Sequence, residues 1–195
     1  IGGMGGALAM LALPGTVFPR PAGGTSPSRP PRLRAGDTVG LIAPASSDDD
    51  PLHLEAALNN IRGMGLVPRL GRHVSDRYGY LSGTDKDRAA DIDAMFADED
   101  VRALFAIRGG WGSARLLPLL DWNLIRTRPK LLIGSSDVTA LHLAFAALAG
   151  YSSIHAPNVS NRWDAISWNS FWRMAFSGQE PTLGEDEGQD QTLER

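Results

Sequence analysis

The chain has 195 residues, room for one domain of ordinary size but not for two. It is 43% hydrophobic and 21% charged, and 19 Lys and Arg against 22 Asp and Glu leave a formal net charge of −3, so there is no broad basic surface for nucleic acid. With no cysteine, a disulfide scaffold, a thiolate zinc site, an iron–sulfur cluster and a cysteine nucleophile are excluded, and the four histidines, His53, His73, His142 and His155, lack the i, i+4 spacing of helix-borne ligands. Neither a metal nor a cofactor is expected.

Residues 1–31 differ in texture from the rest. Ile1 to Leu13 is an uncharged run of Gly, Ala, Leu and Met, followed by a Pro/Gly/Ser/Thr-rich tract to Pro31. The run is too short for a membrane span, which takes about 20 residues, and matches the apolar region of an export signal, about 7–15 residues long. It reads as a truncated signal and linker, placing the protein in the periplasm or outside the cell; without that signal, the cytoplasm is the expectation.

From Arg32 the pattern is α/β. Thr38 to Ala43 is a short apolar run ended by Pro44, the mark of a buried strand. Leu54, Leu58, Ile61 and Met64 recur at helical spacing, with Gly63 and Gly65 closing the helix. Leu66 to Leu70 reads as an edge strand, because Pro68 cannot donate to a ladder. Thr84 with Asp87 forms a capping box ahead of Ala89, Ile92 and Phe96, and the many acids of that helix read as a solvated face. Ala103 to Ile107 is the next strand; Ser113 to Leu120 reads as a helix, Leu131 to Ile133 as a strand and Val138 to Ala149 as a long apolar helix. His155 falls near the end of a further strand. Strands alternating with helices predict a three-layer α/β fold, a mostly parallel sheet with helices on both faces, of the Rossmann or flavodoxin-like kind. Ligands of such sheets sit at the carboxyl ends of the strands.

Two loops fall at those ends. Gly134-Ser135-Ser136-Asp137 joins an apolar strand to an apolar helix; a serine on such a turn projects its hydroxyl from the sheet, and the next amide can bind an oxyanion. Ser136 would be the nucleophile and Asp137 the amide donor, although the second glycine of G-x-S-x-G is absent and a helix-capping serine fits the spacing as well. Gly109-Gly110-Trp111-Gly112-Ser113 lets the backbone approach a ligand but lacks both the third glycine of a dinucleotide loop and a Walker lysine. It suits an oxyanion donor or a cradle for a substrate carboxylate, with Arg115 behind it either on substrate or in an ion pair. Ser113 is the rival nucleophile or a helix cap.

In order along the chain, Arg34 to Asp37, Leu41 to Ser46, Arg108 to Leu117, Asp121, Pro129-Lys130, Gly134 to Leu141 and His155-Ala156-Pro157 resemble the serine-type L,D-carboxypeptidases of murein recycling, a family that also includes the microcin C self-immunity peptidases. The resemblance covers roughly residues 32–160, and corresponds to the family's N-terminal domain. It implies a peptidase that removes the terminal D-alanine from peptidoglycan tetrapeptides through an acyl-enzyme. Ser136 is then the nucleophile, with Asp137 and Gly110 supplying the oxyanion hole and Gly109, Trp111, Arg115 and His155 on the substrate side. It also implies a Glu–His pair in a C-terminal domain. The aromatic and acidic segment 161–195 is too short to build one, so that domain is expected to be largely absent and the chain to be a piece of a longer protein. The partner is a murein tetrapeptide or related small peptide, with a homodimer left open; no nucleic acid and no stable membrane span are expected. Two other readings compete: a peptidyl-nucleotide amide hydrolase of the microcin type, and a non-catalytic module that binds cell-wall peptides.

Overall fold

The computed structural model describes residues 29–180, apart from 49. The export-signal reading and the acidic tail fall on residues 1–28 and 181–195, outside the described residues. No helix among the described residues is long and apolar enough to cross a membrane.

Five strands, β1 (Thr38–Ile42), β2 (Val67–Leu70), β3 (Val101–Ala106), β4 (Leu131–Gly134) and β5 (Ile154–His155), form a parallel sheet in the order β2-β1-β3-β4-β5. Side chains alternate across it as the pleat dictates. Val39, Leu41, Ala103, Phe105 and Ile133 face one core, while Ile42, Leu104, Ala106 and Leu132 face the other. Both faces are covered, which is why the strands read as continuous apolar runs rather than half-polar ones. Pro68 lies in β2, an edge strand, where its missing N–H costs nothing on the open side.

The helices follow from local signals. Helix α1 (Pro51–Gly63) starts three residues before the predicted apolar stripe, because Asp50 accepts from Leu52 N–H and Pro51 is already set for the first turn. Helix α2 (Asp85–Ala97) carries the predicted Thr84/Asp87 capping box. Its acidic face is not wholly solvated: Asp91 is buried, raised above its ordinary range by burial, and accepts the His73 N–H at 2.9 Å. The predicted helix 113–120 shrinks to a single tight turn, Ser113–Leu116, since Pro118 cannot continue the ladder. A short helix with no sequence counterpart, α3 (Trp122–Thr127), is capped by the Asp121 carboxylate. Helix α4 (Thr139–Ala144) is entered through a tight turn at Ser136–Val138 and widens into a π-turn at Phe145–Ala149. Helix α5 (Ala165–Trp172) is capped by Asp164. Its Phe171 is fully buried against Phe105, so the aromatic segment covers this sheet, with Trp172 left partly exposed at its margin.

Connection β1–α1–β2 winds outward in one direction and α2 returns across to β3 on the other face, so the winding reverses between β1 and β3. Loops after those two strands part there, and a crevice opens at the carboxyl end of the sheet.

Lys130, which leads into β4, is buried and donates to the carbonyls of Met95 (2.8 Å) and Asp98 at the end of α2. Burial pushes its ammonium down to about 8 from 10.5. Between those values the unfolded chain holds a proton that the folded chain has released, so the stability Lys130 contributes is complete above the unfolded value and is lost as pH falls through the folded one. Raising the pH from about 8 toward 10 is expected to raise the urea midpoint, and Lys130→Met is expected to flatten that rise; equal slopes in the two proteins would refute the assignment.

Candidate active site

Strand β4 ends at Gly134, where a side chain would press on Ala106 Cβ at 2.9 Å and only glycine fits. Ser135 is extended, and Ser136 turns sharply to φ +61°, the left-handed region. It is the one non-glycine residue with positive φ among the described residues. An L side chain pays roughly 1 kcal/mol or more for that conformation, which persists only where the surroundings enforce it. Three groups do so. Asn158 Oδ1 accepts the Ser135 N–H at 3.0 Å, the Gly134 carbonyl accepts both the Ala156 N–H (3.1 Å) and His142 Nε2 (2.9 Å), and Asp137 Oδ2 accepts the Ser113 N–H at 2.7 Å. The last bond ties the serine turn to the glycine loop, a role for the Asp137 side chain that its predicted amide role did not anticipate.

The glycine loop closes over Ser136. Gly109 has no room for a methyl group, which would sit 2.9 Å from Ser136 Cβ and 3.2 Å from its Oγ; Gly110, at φ +119°, would drive one into Ser46 Oγ at 2.6 Å. Buried Ser46 in turn holds the Gly109 carbonyl through its Oγ at 2.6 Å. Behind the loop lies Arg88, whose Nη1 donates to Pro44 O and to Gly112 O (3.2 Å) while Nη2 pairs with Asp85. Asp85, held below the usual carboxylate range chiefly by Arg115, thus joins two arginines.

Ser136, Ser135, Gly109 and Gly110 line a cavity of about 300 Å³ together with Asp48, His53, Arg108, Asn158, Ser160 and Asn161. The remaining residues singled out in the sequence lie around it. Arg115 Nε and Nη2 embrace Asp85 at 2.7–3.0 Å, the ion pair of its two sequence readings, outside the cavity lining. Trp111 is half exposed and stacks on Tyr80 with ring centres 5.4 Å apart. His155 sits on β5 beside Gly134, its ring 5.7 Å from that of His142. Ser113 is fully buried, and its Oγ has no partner and caps nothing, so both of its sequence readings fail. His142 has both ring nitrogens engaged, Nδ1 by Ser153 Oγ at 2.6 Å and Nε2 by Gly134 O, and burial lowers its affinity for a proton.

Sequence reasoning missed His53, Asp48 and Asn158. His53 reads as an ordinary helix residue, yet the helix start brings it to the cavity with Nδ1 on Asp48 (2.9 and 3.1 Å). Asp48 also lies 3.5 Å from Arg108. Away from the cavity, His73, Asp76 and Asp87 bring ligand-type atoms within 4.8 Å of one another. Those atoms are occupied by one another and by Thr84, which donates its N–H and Oγ–H to Asp87 Oδ2 at 2.9 and 2.6 Å.

Residues 39–156 match the family model for the LD-carboxypeptidase N-terminal domain. The chain belongs to the LD-carboxypeptidase family. Among curated LD-carboxypeptidase relatives, the probable murein peptide carboxypeptidase of Bacillus subtilis is 42% identical over 132 residues, 68% of this chain and 41% of its own length. The murein tetrapeptide carboxypeptidase of Pseudomonas aeruginosa is 42% identical over 120 residues, 61% of this chain and 38% of its own. An MccF-like protein from Bacillus anthracis superposes with a TM-score of 0.72 at 26% identity, covering 76% of this chain and 47% of that one. The chain therefore spans less than half the length of these LD-carboxypeptidase relatives and of that structure.

Proposed function

We propose that this chain carries the nucleophile of a serine peptidase that removes the terminal D-alanine from peptidoglycan tetrapeptides. The observation that carries the proposal is the strained Ser136, held at φ +61° at the end of β4 and facing a cavity closed by Gly109 and Gly110. Such a turn lifts a hydroxyl clear of the sheet, where a substrate carbonyl can meet it. Ser136 Oγ attacks the scissile carbonyl, forming the C–O bond as the carbonyl pair moves onto oxygen. The backbone amides of Asp137 and Gly110 receive that oxyanion. A base accepts the serine proton and returns it to the leaving amine of D-alanine; water then releases the acyl group. Gly109, Trp111 and His155 belong in this reading to the substrate side, while Arg115 is held in its ion pair with Asp85. Names of the relatives, murein peptide and murein tetrapeptide carboxypeptidases, support this substrate class.

The base reaches Ser136 from outside residues 29–180 in this reading, as the family resemblance implies; His142 is engaged at both nitrogens, and His53 is held at Nδ1 by Asp48. The test is D-alanine release from murein tetrapeptide by the native protein. Release is expected, and His53→Ala is expected to keep most of the rate. No release would end the proposal, and a loss in His53→Ala as deep as that in Ser136→Ala would move the role of base to His53.

A further inference from the structure

Asn158 belongs to no motif, yet it is placed under the serine turn with unusual definition. It follows β5 in a segment fastened to the end of β3 by Val159 N–H on Ala106 O (2.9 Å) and Ser160 N–H on Ile107 O (3.3 Å). Its side chain is only 4% exposed, and it lines the cavity that holds Ser136. The bond from Ser135 N–H to Oδ1 fixes the amide's orientation, because only the oxygen end can accept. Nδ2 is thereby turned to the other side, where a methyl on Gly109 would lie 3.4 Å from it and 3.2 Å from Ser136 Oγ; both atoms border the same gap. Asn158 Nδ2 donates no hydrogen bond among the described residues and is not sealed from solvent: it opens onto the cavity, where a ligand can accept from it.

The geometry points to Asn158 as a third, side-chain donor to the acyl oxygen of the bound peptide, an assignment that rests on the serine peptidase reading. As Ser136 Oγ bonds to the carbonyl carbon and the electron pair moves to oxygen, the amide N–H strengthens its hydrogen bond to that oxygen; no proton is transferred by Asn158. The same side chain thus braces the turn through Oδ1 and meets the substrate through Nδ2. Its amide is preorganised, so no reorientation is needed as charge develops.

Asn158→Asp separates the two tasks in the native protein. A carboxylate still accepts from Ser135 N–H but offers no donor, so in the folded variant kcat for D-alanine release is expected to fall roughly 10²-fold with KM little changed, and the buried charge is expected to lower the melting temperature. Lowering the pH is expected to raise its rate relative to wild type, since a protonated carboxyl regains an O–H donor. Asn158→Ala removes both tasks and is expected to lose at least as much in kcat and some stability as well; it carries the test if the aspartate variant does not fold. Wild-type kcat in either folded variant, or a loss confined to KM, overturns the assignment. Ser136→Ala is measured alongside: undiminished release there removes the serine reading and this one with it, whereas an inert Ser136→Ala beside a fully active Asn158→Asp removes only the role of Asn158.

Discussion

Ser136→Gly is expected to be more stable than the wild-type protein and inert, while Ser136→Ala is expected to be inert with unchanged stability. Both variants lose the hydroxyl, and removal of a peptidase nucleophile typically costs on the order of 10⁴-fold in kcat or more. They differ in the backbone. At φ +61° alanine keeps the left-handed strain of serine, whereas glycine removes roughly 1–2 kcal/mol of it and returns about 0.5–1 kcal/mol through its more flexible unfolded chain. The net gain, up to about 1 kcal/mol, corresponds to a rise of about 2–4 °C in melting temperature for a domain of this size. Calorimetry on the three proteins, with D-alanine release measured on each, separates strain from chemistry. A glycine variant less stable than the alanine variant would show that the turn holds no strain.

The second large effect is expected at Arg88. Its guanidinium is sealed from solvent and donates to Pro44 O, at the end of the β1 run, and to Gly112 O, in the glycine loop. Arg88→Met leaves both carbonyls without this donor, at about 1–3 kcal/mol for each buried group, while Asp85 keeps Arg115 and is not stranded. Urea unfolding is expected to show a loss of about 3 kcal/mol, in the range found when buried charged networks are broken. Peptidase activity is expected to fall more than tenfold in the protein that remains folded, because Arg88 holds the loop that closes on Ser136 without touching substrate itself. Arg88→Lys should recover only part of either loss, since one ammonium cannot stand both where Nη1 serves the two carbonyls and where Nη2 meets Asp85. A stability change below about 1 kcal/mol in Arg88→Met would exclude the bracing role.

These effects also show where sequence reading stops. The apolar run Val39 to Ile42, the capping box at Thr84 and Asp87, and Pro68 on an edge strand are local: each residue's own geometry restricts what its neighbours can do, so the pattern is visible one segment at a time. The same holds for the serine turn, where Gly134 and Ser136 stand two positions apart. Ser113–Leu120 failed as a helix for an equally local reason, Pro118, which the apolar spacing obscured.

Asn158, His53 and Arg88 are different. Nothing near Asn158 marks it as a partner of Ser135, 23 positions away, and nothing near Ser46 marks the Gly109 carbonyl 63 positions on. Reversal of the winding between β1 and β3 brings these segments to one crevice, and only there does a surface-type histidine become a cavity residue or an acidic-helix arginine become buried. Composition excluded cysteine chemistry from these 195 residues, and their order of apolar runs and glycine loops was enough to specify a parallel α/β sheet with a serine at a strand end. The orientation of the Asn158 amide, the occupation of both His142 nitrogens and the strain at Ser136 depend on side chains meeting across the sheet, which one-dimensional periodicity does not encode.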